Sequence, residues 1–188
     1  MKVEQVKLLD GVKMIVDIEN NVWKVVSNWK DYYENRALHY IKNNKDYETI
    51  VDVGANIGNH TIFFKKYCAD IVYSFEKDKA IFEILKENVA LNSLEWVIIK
   101  HKQLNKAKSS SLDKYMKGIY VDMIKIDVDW EEHDILRWMA NICREQWPDL
   151  LIEIMPWNEK VHKLIQGRGY ELEIEFKYSS PLFLYVKE

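Results

Sequence analysis

The chain has 188 residues, 48% hydrophobic and 30% charged, with a formal net charge of −3. That is the length of one ordinary domain with enough apolar material for a core. The balance excludes a disordered chain and argues against a protein held to nucleic acid mainly by phosphate contacts.

No apolar run approaches the ~20 residues of a membrane span, and Met1–Gln5 lacks the apolar region of a signal peptide. Cys68 and Cys143 show no metal-ligand spacing and fit reduced, buried thiols of an intracellular protein. A cytoplasmic protein without a membrane or nucleic-acid partner is expected.

Lys13–Ile18 and Val22–Val26 read as two strands joined by an Asn20-Asn21 turn, a hairpin signal weaker than Asn-Gly. Asp31 can cap a helix running to about Lys42, with Leu38 and Ile41 among its apolar positions. Residues 1–47 are thus expected to form a hairpin and helix added to a core over 48–188, the whole being a single domain.

The core is organised around Thr49–Thr61, which reads TIVDVGANIGNHT. The β-branched run up to Val53 suits a buried strand. Gly54 and Gly58 give a turn, and Ile57, Thr61, Ile62, Phe63 and Phe64 continue at helical spacing. Such a turn brings bare backbone N–H groups near a ligand at a helix N-terminus that favours anions. Asp52, just before the turn, offers a carboxylate to an ammonium or hydroxyl, so an amino-acid head group suits Asp52, Gly54, Ala55, Asn56, Gly58 and Asn59. A second strand, Ile71–Phe75, ends at Glu76 and Lys77. The acidic residue stands close to the ~20-residue offset at which a carboxylate meets ribose hydroxyls in nucleotide-binding βαβ units.

Asp78 caps a helix from Lys79 to Leu91 with an Ile81, Ile84, Leu85 and Val89 stripe. A strand at Trp96–Ile99 leads into the Lys-rich segment Lys100–Lys108, read as a solvated loop. Strand Met123–Ile126 ends at Asp127, and a helix from about Glu131 to Cys143 turns Ile135, Leu136, Met139 and Ile142 inward. In strand Leu150–Ile154 only Glu153 is charged, so it needs a partner or a solvated pocket. Alternation puts it on the face opposite Ile152 and Ile154. A helix over 158–166 and strands Tyr170–Phe176 and Leu182–Val186 close the chain.

Rival chemistries fit less well. A dinucleotide fingerprint needs a second glycine where Asn56 stands, and no Gly-Lys-Ser/Thr follows the turn. Met155-Pro-Trp-Asn158 is read as a loop. None of the five histidines pairs with another at metal-ligand spacing, and His60 and His133 read as packing or surface residues. Asp127, Asp129 and Glu153 can converge at the strand C-termini, where ligands of open α/β sheets bind. They would deprotonate or orient an acceptor hydroxyl, hold a divalent metal through oxygen, or serve as structural carboxylates paired with Lys or Arg.

Val51–Thr61 resembles the first motif of the FkbM-type S-adenosylmethionine-dependent methyltransferases, and Tyr73–Glu76 their second. Ser111–Asp113 with Val121–Asp129 resembles their run into the fourth strand, and Pro148–Ile154 the fifth. The likeness implies a Rossmann-like class I methyltransferase fold, a three-layer α/β sandwich. Its seven-stranded sheet is mostly parallel, with the last strand antiparallel. It implies S-adenosylmethionine as cofactor, held through the glycine turn, Glu76 and Lys77, with Lys102 and Gln103 near the adenine and Asp127 bordering the methyl group. Glu34 falls where the family carries a similar Tyr-Glu pair, and also reads as an ordinary acidic residue of a helix first turn.

Two departures stand out. The segment between Lys100 and Val121 is short, and Asp127-Val-Asp-Trp130 replaces the family's Asp-Val-Glu-Gly, so that Trp130 either stacks on an acceptor or plugs the site. The implied activity is O-methylation of a hydroxyl on a glycan or small molecule. The alternatives are a non-catalytic cofactor-binding interaction subunit, an N-methyltransferase and a nicotinamide-dependent oxidoreductase.

Overall fold

The computed structural model describes residues 2–104, 111–128 and 130–187. Strands β1 (Val3–Lys7) and β2 (Lys13–Asp17) pair antiparallel, with Val3 opposite Asp17. The N-terminal hairpin is therefore present but lies one strand earlier than the sequence suggests, because Val22–Val26 belongs to helix α1 (Asn21–Trp29). The Asn20 side chain accepts from Val22 N and caps that helix. Trp23 and Val26 are buried while Lys24 and Val25 are exposed, a three-residue spacing that only a helix satisfies. Burial of that face overrides the β propensity of the valines.

Helix α2 (Asn35–Asn44) begins beyond Asp31, whose carboxylate accepts from the Asn35 side chain and the Tyr32 N–H instead of capping the helix. Glu34 takes the cap position in the left-handed region, at φ +58°.

The main sheet contains β3 (Tyr47–Val53), β4 (Ala69–Glu76), β5 (Val97–His101), β6 (Met123–Ile126), β7 (Asp149–Glu153), β8 (Glu171–Phe176) and β9 (Leu182–Val186). Their spatial order is β5-β4-β3-β6-β7-β9-β8. The first five run parallel, and β9 is antiparallel to both β7 and β8. This is the expected Rossmann-like methyltransferase topology. The chain leaves β3 toward β4 and β5, then returns to lay β6 on the other side of β3. The crevice outside the carboxyl ends of β3 and β6 is thus the topological switch point, where ligands of open α/β sheets bind.

Helices α3 (Asn59–Tyr67), α4 (Lys79–Leu91), α5 (Leu112–Tyr115), α6 (Glu132–Trp138), α7 (Ala140–Glu145) and α8 (Glu159–Gln166) cover the sheet. Ile50 faces one core with Ile62 and Phe63, whereas Val51 and Val53 face the other with Ile124, Ile152 and Leu136. Both faces of β3 are buried, which accounts for its nearly unbroken apolar sequence.

The helix expected over 131–143 divides at Met139 into α6 and α7. The Asp113 carboxylate from α5 accepts from Asn141 N and Ile142 N, satisfying the orphan donors that a helix start leaves. On α4, the buried Asn88 side chain accepts from Ile15 N and donates to Ile15 O and Ile57 O, joining hairpin, helix and glycine turn.

Candidate active site

The site begins where β3 ends. Gly54 has φ +78°, and a Cβ there would lie 1.7 Å from the Asp127 carbonyl oxygen, so only glycine lets the chain pass the end of β6. The loop's N–H groups are not bare, contrary to the sequence-based expectation. Gly54 N and Ala55 N both donate to Phe75 O, and Gly58 N donates to Ala55 O. Asn56 N donates to Glu76 Oε2 at 2.8 Å, and Ile57 N to Asn56 Oδ1 at 2.9 Å. Buried donors must be satisfied, and here the protein itself satisfies them. Gly58 serves packing, since a Cβ there would lie 2.7 Å from Leu85 Cδ1.

Asp52 is fully buried and lines neither cavity at the switch point. Its Oδ2 accepts from Thr61 Oγ1 at 2.6 Å, and its Oδ1 lies 3.3 Å from Lys125 Nζ. The ammonium it meets is the protein's own. Lys125 also reaches Gly54 O at 3.1 Å and Asp127 Oδ2 at 3.2 Å. Burial works against the charge on Lys125, but Asp127, Asp52 and Glu34 outweigh it and raise the ammonium above the ordinary lysine range.

A cavity of about 320 Å³ opens beside the turn, lined by Gly54, Asn56, Glu76, Lys77, Lys102 and Gln103, with Phe75, Ile81 and Leu104 among its apolar walls. The nearly buried Glu76 carboxylate accepts from Asn56 N and from Asp78 N at 2.7 Å, one bond on each oxygen. Each carboxylate oxygen retains further acceptor capacity for a ligand hydroxyl. Gln103 Nε2 donates to Glu131 Oε1 at 2.9 Å, and Lys77 Nζ lies 3.5 Å from Glu131 Oε2. Glu131, which sequence reasoning missed, therefore ties two expected cofactor residues together.

A second cavity of about 240 Å³ shares Gly54, Asn56 and Asp127 with the first, and is otherwise walled by Trp23, Tyr33, His60, Glu153 and Met155 among others. Ala55 and Asn59, expected at the cofactor, lie on this second side. The Asn59 amide is spent on the backbone of Tyr33, accepting from its N–H and donating to its carbonyl, each at 3.0 Å. His60 Nε2 lies 3.1 Å from Glu34 Oε2, both side chains almost wholly buried. No local signal marks this pair, because its members come from different elements.

Asp127 and Glu153, from the ends of neighbouring strands, are hydrogen-bonded to each other. Burial pushes the Asp127 carboxyl up, but Lys125 and then His60 outweigh it and hold it below the ordinary range. Burial first, then the charge of Asp127 and the bond to it, push Glu153 up to about 8. With Glu153 raised and Asp127 lowered, the pair holds one proton at neutral pH.

Asp129 lies outside the described residues. Trp130 is no plug: it is 65% exposed and stacks on Trp157, also 65% exposed, with centroids 5.5 Å apart and planes at 28°. Its φ is +82°, so it keeps the backbone conformation of the glycine that the resemblance places there. Among the described residues, no group of three or more His, Cys, Asp or Glu is arranged to hold a metal ion, and no helix is long and apolar enough to cross a membrane.

Comparison with known proteins adds a family to this geometry. The family model for the TRM5/TYW2 methyltransferase domain matches residues 6–127. A search of curated proteins finds no match. Among solved structures, precorrin-6y C5,15-methyltransferase from Geobacter metallireducens is 13% identical, with TM-score 0.62, over 83% of this chain and 89% of that one. An rRNA methylase from Streptococcus thermophilus is 17% identical, with TM-score 0.59, over 81% and 94%. TrmK of M. capricolum, in complex with S-adenosyl-homocysteine, is 12% identical, with TM-score 0.55, over 79% and 66%. At these identities the structures share the fold.

Proposed function

The chain belongs to the TRM5/TYW2 methyltransferase domain family and is an S-adenosylmethionine-dependent methyltransferase, and from that premise we propose that it methylates a hydroxyl of a neutral sugar or small molecule. The observation that carries this reading is the Asp127–Glu153 pair at the junction of two cavities.

The cofactor would occupy the larger cavity. Glu76 would take the ribose hydroxyls on its remaining lone pairs, Gly54 would let the cofactor approach the turn, and Lys102 and Gln103 would flank the adenine. S-adenosylmethionine supplies an activated methyl group. The chain's own part is to align and deprotonate the acceptor. A hydroxyl in the smaller cavity would donate to the carboxyl pair, and its proton would pass to that pair once Glu153 is ionised. Lys125 keeps Asp127 charged, while His60 and Glu34 stiffen the wall opposite.

Two further features support a neutral acceptor. The smaller cavity presents Asp127 and Glu153, and the cation beside them, Lys125, is already committed. A phosphate group there would meet uncompensated negative charge. The motif resemblance to FkbM-type enzymes supports oxygen as the receiving atom.

A second reading, transfer to a nucleobase nitrogen, has its own observation: the exposed Trp130–Trp157 stack offers a ring face of the kind that binds an unstacked base. One assay separates the readings. The protein is incubated with methyl-labelled cofactor and, in parallel, neutral glycosides, free nucleosides and transfer RNA. Label on a glycoside, lost in Glu153→Gln, supports the first reading. Label only on RNA, lost in Trp130→Ala, replaces it with the second.

A further inference from the structure

We propose that the protein carries a second ligand site on the opposite edge of the sheet, which binds a small molecule bearing a carboxylate or phosphate on an apolar body. The cofactor turn, Glu76 and Asp127 follow the carboxyl ends of β3, β4 and β6. By contrast, Trp147 precedes β7, and Arg168 and Tyr170 precede β8, which runs parallel to β7 because both oppose β9. These residues therefore gather at the amino ends of the strands.

A cavity of about 300 Å³ lies there, lined by Ala140, Cys143, Arg144, Trp147 and Arg168. The Arg168 side chain touches the Cys143 thiol, and among the described residues its buried Nη1 has no oxygen or nitrogen partner. The buried Tyr170 hydroxyl sits against the Cys143 thiol, a weak partner, and finds no oxygen or nitrogen acceptor or donor there. Such groups are costly to leave unpaired. Two carboxylates whose charge reaches Cys143 and Tyr170 are otherwise engaged. Asp113 caps α7, and Asp149 accepts from Tyr47 Oη at 2.7 Å and lies 3.4 Å from Lys45 Nζ.

Two more cations border the site. Lys187 Nζ stands 4.1 Å from the centroid of the Trp147 ring, and Arg144 is bonded to Asn141 and Glu145. Trp147 also sits at φ +55° directly before Pro148, a position that both its side chain and the proline disfavour. Its indole nonetheless walls the cavity beside Ala140 and Cys143. An anion would pair with Arg168, and its apolar body would lie against Trp147. Phosphate alone would satisfy only the polar half.

The test is calorimetric titration of the full chain with benzoate and, separately, inorganic phosphate, with and without S-adenosylhomocysteine. Saturable benzoate binding, tighter than phosphate and indifferent to S-adenosylhomocysteine, is expected. Arg168→Gln should weaken it about tenfold or more while leaving the thermal midpoint unchanged or higher, because the buried Nη1 that lacks an oxygen or nitrogen partner is removed. Should that variant fail to fold, Arg168→Lys provides the same reading with a smaller loss. Absence of binding by both probes, binding undiminished in these variants, or displacement by S-adenosylhomocysteine would overturn the site. Phosphate binding as tightly as benzoate would overturn the assigned apolar component.

Discussion

Lys125 Nζ and Asp52 Oδ1 face each other at 3.3 Å, with at most 1% of either side chain exposed. A charge in that position is stable only while its partner remains. Lys125→Met should destabilise the fold by about 3–5 kcal/mol, because it strands the buried Asp52 carboxylate. Adding Asp52→Leu should restore much of the loss. Chemical denaturation of the two variants measures this, and an unchanged midpoint in the single variant would show that the pair contributes nothing.

Glu76 bonds both the turn and the start of α4. Glu76→Ala should weaken S-adenosylhomocysteine binding roughly tenfold or more. Glu76→Gln, which keeps one acceptor, should lose less. Isothermal titration beside NADH checks both, and NADH is expected not to bind. Equal affinity in Glu76→Ala and the parent would remove Glu76 from the cofactor site.

Gly54→Ala places a Cβ within 1.7 Å of a backbone oxygen at φ +78°. The strained backbone alone costs ~1–3 kcal/mol, and relieving the overlap requires β3 and β6 to part. The variant should melt well below the parent and lose cofactor binding. Thermal denaturation decides it.

The Glu153 carboxyl is raised from 4.5 to about 8 in the folded protein. The folded chain then holds a proton that the unfolded chain has released, so folding takes up a proton between those values. The stabilisation is complete below about 4.5 and is lost as the pH climbs through about 8. Glu153→Gln, neutral throughout, should flatten that slope when unfolding is followed across this range. Methyl transfer should rise over the same alkaline limb, with an apparent pKa that belongs to the Asp127–Glu153 pair. A limb centred near 6 would point to a different base.

How far the sequence discloses this protein depends on how local each signal is. Helix α4 and its Asp78 cap follow from adjacent residues, and strand β6 from one apolar run, so both stand where expected. Glu76 is legible because strand, turn and offset lie within one βαβ unit. Val22–Val26 misleads because β-branched residues suit a strand locally, and only tertiary burial of Trp23 and Val26 selects a helix. Lys125 is invisible for a related reason: a lysine in a short strand reads as solvated until the strands that bring Asp52 and Asp127 beside it are known. The same holds for His60 with Glu34 and for Arg168 with Tyr170. The wall of the smaller cavity, drawn from α1, Tyr33, α3 and β7, is the least legible part.

Asn88 is bonded to residues 73 and 31 positions away along the chain. Contacts at such separations form after the chain has closed its long loops. The first hairpin is thus held to α4 and the glycine turn through one buried amide. Its opening should in turn be tied to theirs: the Ile15 amide should exchange its hydrogen with solvent on the timescale of the α4 interior rather than that of an independent terminal flap.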